Sequence, residues 1–211
     1  MAVPLRATDA AMNKLFAEFL GTFLFCAVSL TAGNRMAEAG ALAAMVYALA
    51  YVSGAHFNPA VSLAVWMRGQ LERNEMFRYF GAQAAGALAA VLVAWVLRHD
   101  AGPVVAARYP WFRALLGECC FTFMIAFVYL HVRTARQVAG NTWFGIALGM
   151  AHFAGASALA AISGGACNTA RGLSHVLSGA VHPGMIFVYA LAAAAGGAAA
   201  AIAYRLLNPN D

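Results

Sequence analysis

Ser53-Gly54-Ala55-His56-Phe57-Asn58-Pro59-Ala60-Val61 ends a long apolar run, and Ser163-Gly164-Gly165-Ala166-Cys167-Asn168-Thr169-Ala170-Arg171 repeats that ending 110 residues later. In each copy a Ser-Gly pair loosens the chain, and an asparagine then stands where a new short helix can begin. Asparagine is among the best N-cap residues. Pro59, next in line, has its φ pre-set for a first turn and no N–H to leave unpaired. Each copy therefore reads as a chain that enters a bilayer, stops, and starts a half-helix. Non-helical backbone at membrane depth survives only where protein buries it or where it lines a watery cavity. Two such breaks in one chain predict a pore.

The composition agrees with a membrane setting. Only 10% of the residues are charged and 63% are hydrophobic, against roughly 25% charged in a soluble domain. The 211 residues suffice for one channel domain over 1–211, because six spans of roughly 20 residues use over half of them. The net charge of +5 does not suggest nucleic acid, since the arginines sit in loops between apolar runs and not on one continuous face. No apolar h-region precedes the first span, so no cleavable signal is expected. Cys26, Cys119, Cys120 and Cys167 show no metal-ligand spacing, and neither a metal nor a cofactor is expected.

Taken in order, the chain predicts a short cytoplasmic tail over residues 1–12 and spans at about 13–32, 37–53, 76–97, 113–131, 141–160 and 185–207. Half-helices start at Asn58 and Asn168, and Gly102-Pro103 marks the central linker. Trp66, Trp95, Trp111 and Trp143 lie near predicted ends, as interface anchors do. Gly81, Gly86, Gly145 and Gly149 read as points of close helix approach. Ala17-Glu18-x-x-Gly21-Thr22-Phe23 returns as Gly117-Glu118-x-x-Phe121-Thr122-Phe123, so the half from about 13 to 98 repeats from about 113 to 207. Three crossings per half is an odd number, which inverts the second half relative to the first. Broken helices meeting at mid-membrane are known in such inverted repeats. The fold class is thus all-α membrane: six transmembrane helices plus two re-entrant half-helices. With the N-terminus inside, eight of the 13 lysines and arginines fall on the cytoplasmic side, which favours both termini there.

Asn58-Pro59-Ala60 and Asn168-Thr169-Ala170-Arg171 resemble the paired Asn-Pro-Ala boxes of the aquaporin, or major intrinsic protein, channels, of bacterial type. The first box, with its Ser-Gly-x-His lead-in, is highly specific; the second departs by Thr169 in place of proline. Thr169 lacks proline's fixed φ, which predicts a looser second box and a less firmly aimed Asn168. A half-helix N-terminus carries roughly half a positive charge and unpaired N–H donors. Two such ends, each with an asparagine carboxamide, would repel cations and orient each passing water. The resemblance implies that this breaks proton relay. It also makes Arg171 the filter arginine, which at such a depth should face protein or water and never lipid.

The family's offsets place the rest of that filter at Glu38, Ala156 and Gly165. Ala156 and Gly165 are small and imply a wider passage than a water-only filter. Glu38 stands where an aromatic or histidine is expected, and two readings stay open. Its carboxylate either pairs with Arg171 across the filter, or sits at the surface beside Arg35 as an i, i+3 pair. His56 matches the family's loop histidine at the inner pore mouth. His152 lies one turn before Ala156, either lining the pore or satisfied in the core. Glu18 and Glu118 are intramembrane carboxylates that need partners. The resemblance has them accept backbone N–H bonds from the re-entrant loops, with Gln83 near the first.

The sequence thus reads as a passive channel for water, and for small uncharged solutes such as glycerol, urea or ammonia, that excludes ions and protons. The resemblance implies a homotetramer with one pore per subunit, in the inner cell membrane. Broken helices and buried glutamates also suit a secondary transporter, whose flux would saturate and follow a proton or sodium gradient. A Glu38–Arg171 pair could instead occlude the pore and leave a structural membrane protein. No catalytic spacing of histidines, cysteines or serines points to an enzyme.

Overall fold

Lipid offers the backbone no hydrogen-bond partner, so each apolar run must satisfy its own N–H and C=O groups by coiling into helix. In the computed structural model, which describes residues 7–98 and 106–211, the order is α1 (Ala7–Thr31), α2 (Arg35–Ser53), α3 (Pro59–Met67), α4 (Arg73–Leu97), α5 (Trp111–Tyr129), α6 (Phe144–Ala158), α7 (Ala160–Ser163), α8 (Thr169–Leu177) and α9 (Met185–Leu207). The tail through residue 6 and the linker's Gly102-Pro103 lie outside the described residues. Helices α1, α2, α4, α5 and α9 are long and apolar enough to cross a membrane. The remaining span is made in two pieces: α6 has 15 residues, and α7 adds one turn after a break at Leu159. The buried Leu159 side chain fills space left open by Gly117 of α5.

Two starts come earlier than their apolar runs. Helix α1 is already formed at Ala7, and α4 begins with the polar turn Arg73-Asn74-Glu75. Lys14 and Glu75 pair at 2.8 Å and tie these helices together. An acidic residue in a first turn also suits the positive end of a helix.

The inverted repeat is visible in the packing. Helix α1 lies along α4, and α5 lies along α9. A Cβ on Gly86 of α4 would stand 2.5 Å from the Phe19 carbonyl oxygen, and one on Gly196 of α9 would stand 2.8 Å from that of Cys119. Both helix pairs approach at the same place in their half because no side chain keeps them apart. Gly145 and Gly149 likewise meet Tyr47 and Ala39, whereas Gly81 meets nothing close among the described residues. The half-helices cross over between halves: α3 packs on α9, α8 packs on α4, and the two touch each other. Their tips meet in the middle of the bundle.

Candidate functional site

The two half-helix tips are bonded to one another. Asn58 is extended at φ −153°, ψ 122°, and Asn168 at φ −164°, ψ 120°. Each caps its own helix: Asn58 Oδ1 accepts from the Ala60 N–H at 3.0 Å, and Asn168 Oδ1 from those of Ala170 and Arg171 at 2.9 and 3.4 Å. Each carboxamide then donates across the junction. Asn58 Nδ2 reaches the Cys167 carbonyl at 3.0 Å, and Asn168 Nδ2 the Phe57 carbonyl at 2.7 Å. A carboxamide carries two N–H donors, so each asparagine keeps one to offer to the lumen.

The second box is as ordered as the first, contrary to the looseness expected from Thr169. Asn168 accepts two backbone N–H groups where Asn58 accepts one, and the Thr169 hydroxyl donates to the Tyr189 carbonyl at 3.2 Å. An N-cap fixes a first turn by those bonds as well as proline does by its ring.

The crossing carbonyls belong to Phe57 and Cys167, which take φ of 49° and 50°, as Ala55 takes 57°. Side chains other than glycine rarely adopt this conformation. Two buried carboxylates hold it. Glu18 accepts from the N–H groups of His56 and Phe57, the Ser53 hydroxyl and the Gln83 carboxamide, at 2.7 to 2.8 Å. Glu118 accepts from the N–H groups of Ala166 and Cys167 at 2.8 and 2.6 Å and from the Ser163 hydroxyl at 2.5 Å. Every partner is a donor, which is how a carboxylate is kept at membrane depth.

At one end of the junction the structure brings together Arg171, Glu38, Ala156, Gly165 and His152. Arg171, 2% exposed, donates from Nε to Ser29 Oγ at 2.9 Å and to Glu38 Oε2 at 3.1 Å, and from Nη1 to the Gly165 carbonyl at 2.8 Å. Its Nη2 lies 2.9 Å from Glu38 Oε2 and 3.2 Å from Oε1. The surface reading of Glu38 is therefore wrong: it is 4% exposed and its partner is Arg171. Arg35 instead donates Nε to the Ala156 carbonyl at 2.8 Å. His152 Nε2 stands 3.4 Å from Glu38 Oε2, with its ring edge-on to Phe25.

The missing side chain at 165 does not leave open room. Gly165 has φ +65°, and a Cβ there would lie 2.4 Å from the Ala156 carbonyl oxygen. The Ala156 backbone occupies the room that a side chain at 165 would take.

A cavity of about 20 Å³ lies at the junction, touched by His152, Asn168, Asn58, His56 and Tyr129 and walled by Leu42, Val61 and Leu148. A polar site of that size holds a single water. His56 Nδ1 pairs with Ser62 Oγ at 3.0 Å, and its ring meets those of Tyr79 and Tyr129 edge-on. Tyr129 donates its hydroxyl to the Gly54 carbonyl at 2.8 Å.

Ser29 and Tyr129 were not singled out from the sequence. Each lies 11 residues after the loop-holding glutamate of its half, one bonding Arg171 and the other the first re-entrant loop. Extending the Glu18–Glu118 correspondence along α1 and α5 would have found them.

Residues 6–204 match the family model of the major intrinsic protein. The chain belongs to the major intrinsic protein family. An aquaporin NIP1-4 from Oryza sativa subsp. japonica is 33% identical over 93% of this chain and 77% of its own length. A putative aquaporin NIP4-1 from Arabidopsis thaliana is 28% identical over 94% of this chain and 76% of its own. The fold is that of an aquaglyceroporin from Plasmodium falciparum, with a TM-score of 0.78 at 20% identity, over 94% of this chain and 98% of the other. Members of the major intrinsic protein family are channels and not enzymes, and this one is an integral membrane protein with a passive pore.

Proposed function

We propose that this major intrinsic protein conducts water and small uncharged solutes, glycerol, urea and ammonia among them, in single file past Asn58 and Asn168. The observation that carries the reading is the reciprocal bonding of the two asparagines at the lumen. One carboxamide N–H on each side remains for a solute oxygen, and the positive ends of α3 and α8 converge on the same point. A water held by its oxygen there cannot pass a proton along, and a cation meets two like-signed helix ends.

Arg171, Glu38, Ala156, Gly165 and His152 form the outer constriction, and His56 with Tyr129 borders the cytoplasmic mouth. Both termini face the cytoplasm, in keeping with the excess of loop arginines on that side. Residues 1–211 act as one channel domain, assembled as a homotetramer in the inner cell membrane. The outward apolar faces bearing Phe16 and Tyr51, 61% and 86% exposed, are available to lipid or a neighbouring subunit.

Stopped-flow light scattering on proteoliposomes under sucrose, glycerol and urea gradients tests the reading. Flux should rise linearly with the gradient and ignore imposed proton or sodium gradients. Saturable, ion-coupled flux would make the protein a transporter. The Glu38–Arg171 pair is the one observation that favours a closed pore, and absence of any flux would support that reading.

A further inference from the structure

We propose that Glu38 is the specificity-determining residue of the outer constriction: with Arg171 it bars the pore, and the bar yields best to small planar amides of the urea class. The inference rests on the channel reading above and deepens it by choosing among its solutes.

The bar lies on the solute path. His152 belongs both to the cavity wall and to the cluster around Glu38, which sets the ion pair next to that end of the cavity. On that side the Ala156 backbone already fills the place of a side chain at Gly165. Of the two partners, Arg171 is the fixed one. Ser29 holds its Nε and the Gly165 carbonyl holds its Nη1. Among the described residues, Glu38 is held by Arg171 and by a single 3.4 Å contact with His152. Glu38 is therefore the part that moves.

Parting a buried ion pair without replacing its bonds strands two charges away from water, which is strongly unfavourable. A solute passes cheaply when it bridges the pair and keeps both ends satisfied. Glu38 Oε2 sits within 3.1 Å of both Nε and Nη2 of Arg171. One oxygen thus takes two N–H groups of a planar fork. A urea carbonyl can take the same position. The two N–H bonds on the far side of urea run parallel, and a carboxylate accepts them as a matched pair. Urea thereby exchanges one two-pronged contact for two and keeps both charged partners bonded, its two remaining N–H groups pointing sideways. A water oxygen can also sit on the fork, but its two O–H bonds diverge and do not meet the carboxylate as a parallel pair, and the hydroxyls of glycerol do not lie in one plane. Glu38 also cancels the charge of Arg171, so cation exclusion falls to the two half-helix ends.

The test compares the unmodified channel with Glu38→Gln and Glu38→Ala in proteoliposomes, with protein content measured in the vesicles and flux driven by sucrose, urea and glycerol gradients. Removing the bar should raise water flux and lower the urea-to-water permeability ratio by about tenfold, the worth of a hydrogen bond to a charged group. The activation energy of water flux should fall in the same variants. An unchanged ratio in either variant that inserts overturns the proposal. Should neither insert, the unmodified channel decides: urea must pass faster than glycerol, and the reverse order overturns it. Absence of water, urea and glycerol flux in the unmodified protein and both variants would instead overturn the channel reading itself.

Discussion

Replacing Glu118 by alanine is the sharpest trial of how the second re-entrant loop is held. The carboxylate accepts from Ala166 N–H, Cys167 N–H and the Ser163 hydroxyl. Ser163 Oγ also accepts from the Gly165 N–H at 3.2 Å, and its own proton can turn elsewhere. The two backbone donors cannot. Ala166 and Cys167 are 2% and 0% exposed, and each N–H left without a partner costs about 1–3 kcal/mol, so about 2–6 kcal/mol together. For a chain of this size each kcal/mol moves Tm by about 2–4 °C, which gives a fall of about 4–24 °C. Glu118→Gln keeps one acceptor oxygen and strands one donor, so it should lose about half as much. Thermal unfolding of purified protein in detergent reads both. Because the Cys167 carbonyl also receives the Asn58 carboxamide, water flux through Glu118→Ala should fall as well. A Glu118→Ala protein with Tm within about 2 °C of the unmodified one, where one orphaned N–H alone should exceed that shift, would refute the reasoning.

Three further outcomes are expected. Asn168→Asp keeps the cap but loses the N–H donated to Phe57, so it should fold and admit cations, seen as ohmic current in planar bilayers where the unmodified protein shows none. Gly165→Ala puts a methyl 2.4 Å from the Ala156 oxygen at φ +65°; beyond the clash, the backbone alone costs about 1–2 kcal/mol, and both Tm and flux should drop. The Tyr204 hydroxyl donates to Asp211 and does most to hold its carboxyl below the ordinary value, with the Arg136 N–H and the Arg68 and Arg136 guanidiniums adding to it. A depressed folded value means stability present above the unfolded pKa of about 4 and lost as pH falls through the folded one. Tm should therefore decline more steeply between about pH 5 and pH 3 in the unmodified protein than in Asp211→Asn.

What the residues disclosed in advance depended on the reach of each signal. The half-helices, the spans and the inversion were legible because caps, apolar runs and the Glu18–Glu118 correspondence are local patterns or simple repeats. The span over 141–160 hid its break at Leu159, since no proline or glycine stands at it and the contact made there is with Gly117 on another helix. Glu38 was ambiguous for a different reason. Arg35 is three positions away and Arg171 is 133, and only tertiary packing chooses between them. The constriction at Ala156 and Gly165 was misjudged because side-chain size says nothing of where backbone goes. Removing a Cβ can close a gap as easily as open one. Thr169 misled through the opposite assumption, that proline alone can fix a first turn.

The exchange of half-helices, α3 onto α9 and α8 onto α4, bears on how the molecule is made. The first re-entrant segment leaves the ribosome long before the helix that will cradle it, and its asparagine has no carbonyl to hold until the opposite arm arrives. Neither arm can finish alone, so the conducting path closes as a single late event joining the earliest and latest parts of the polypeptide.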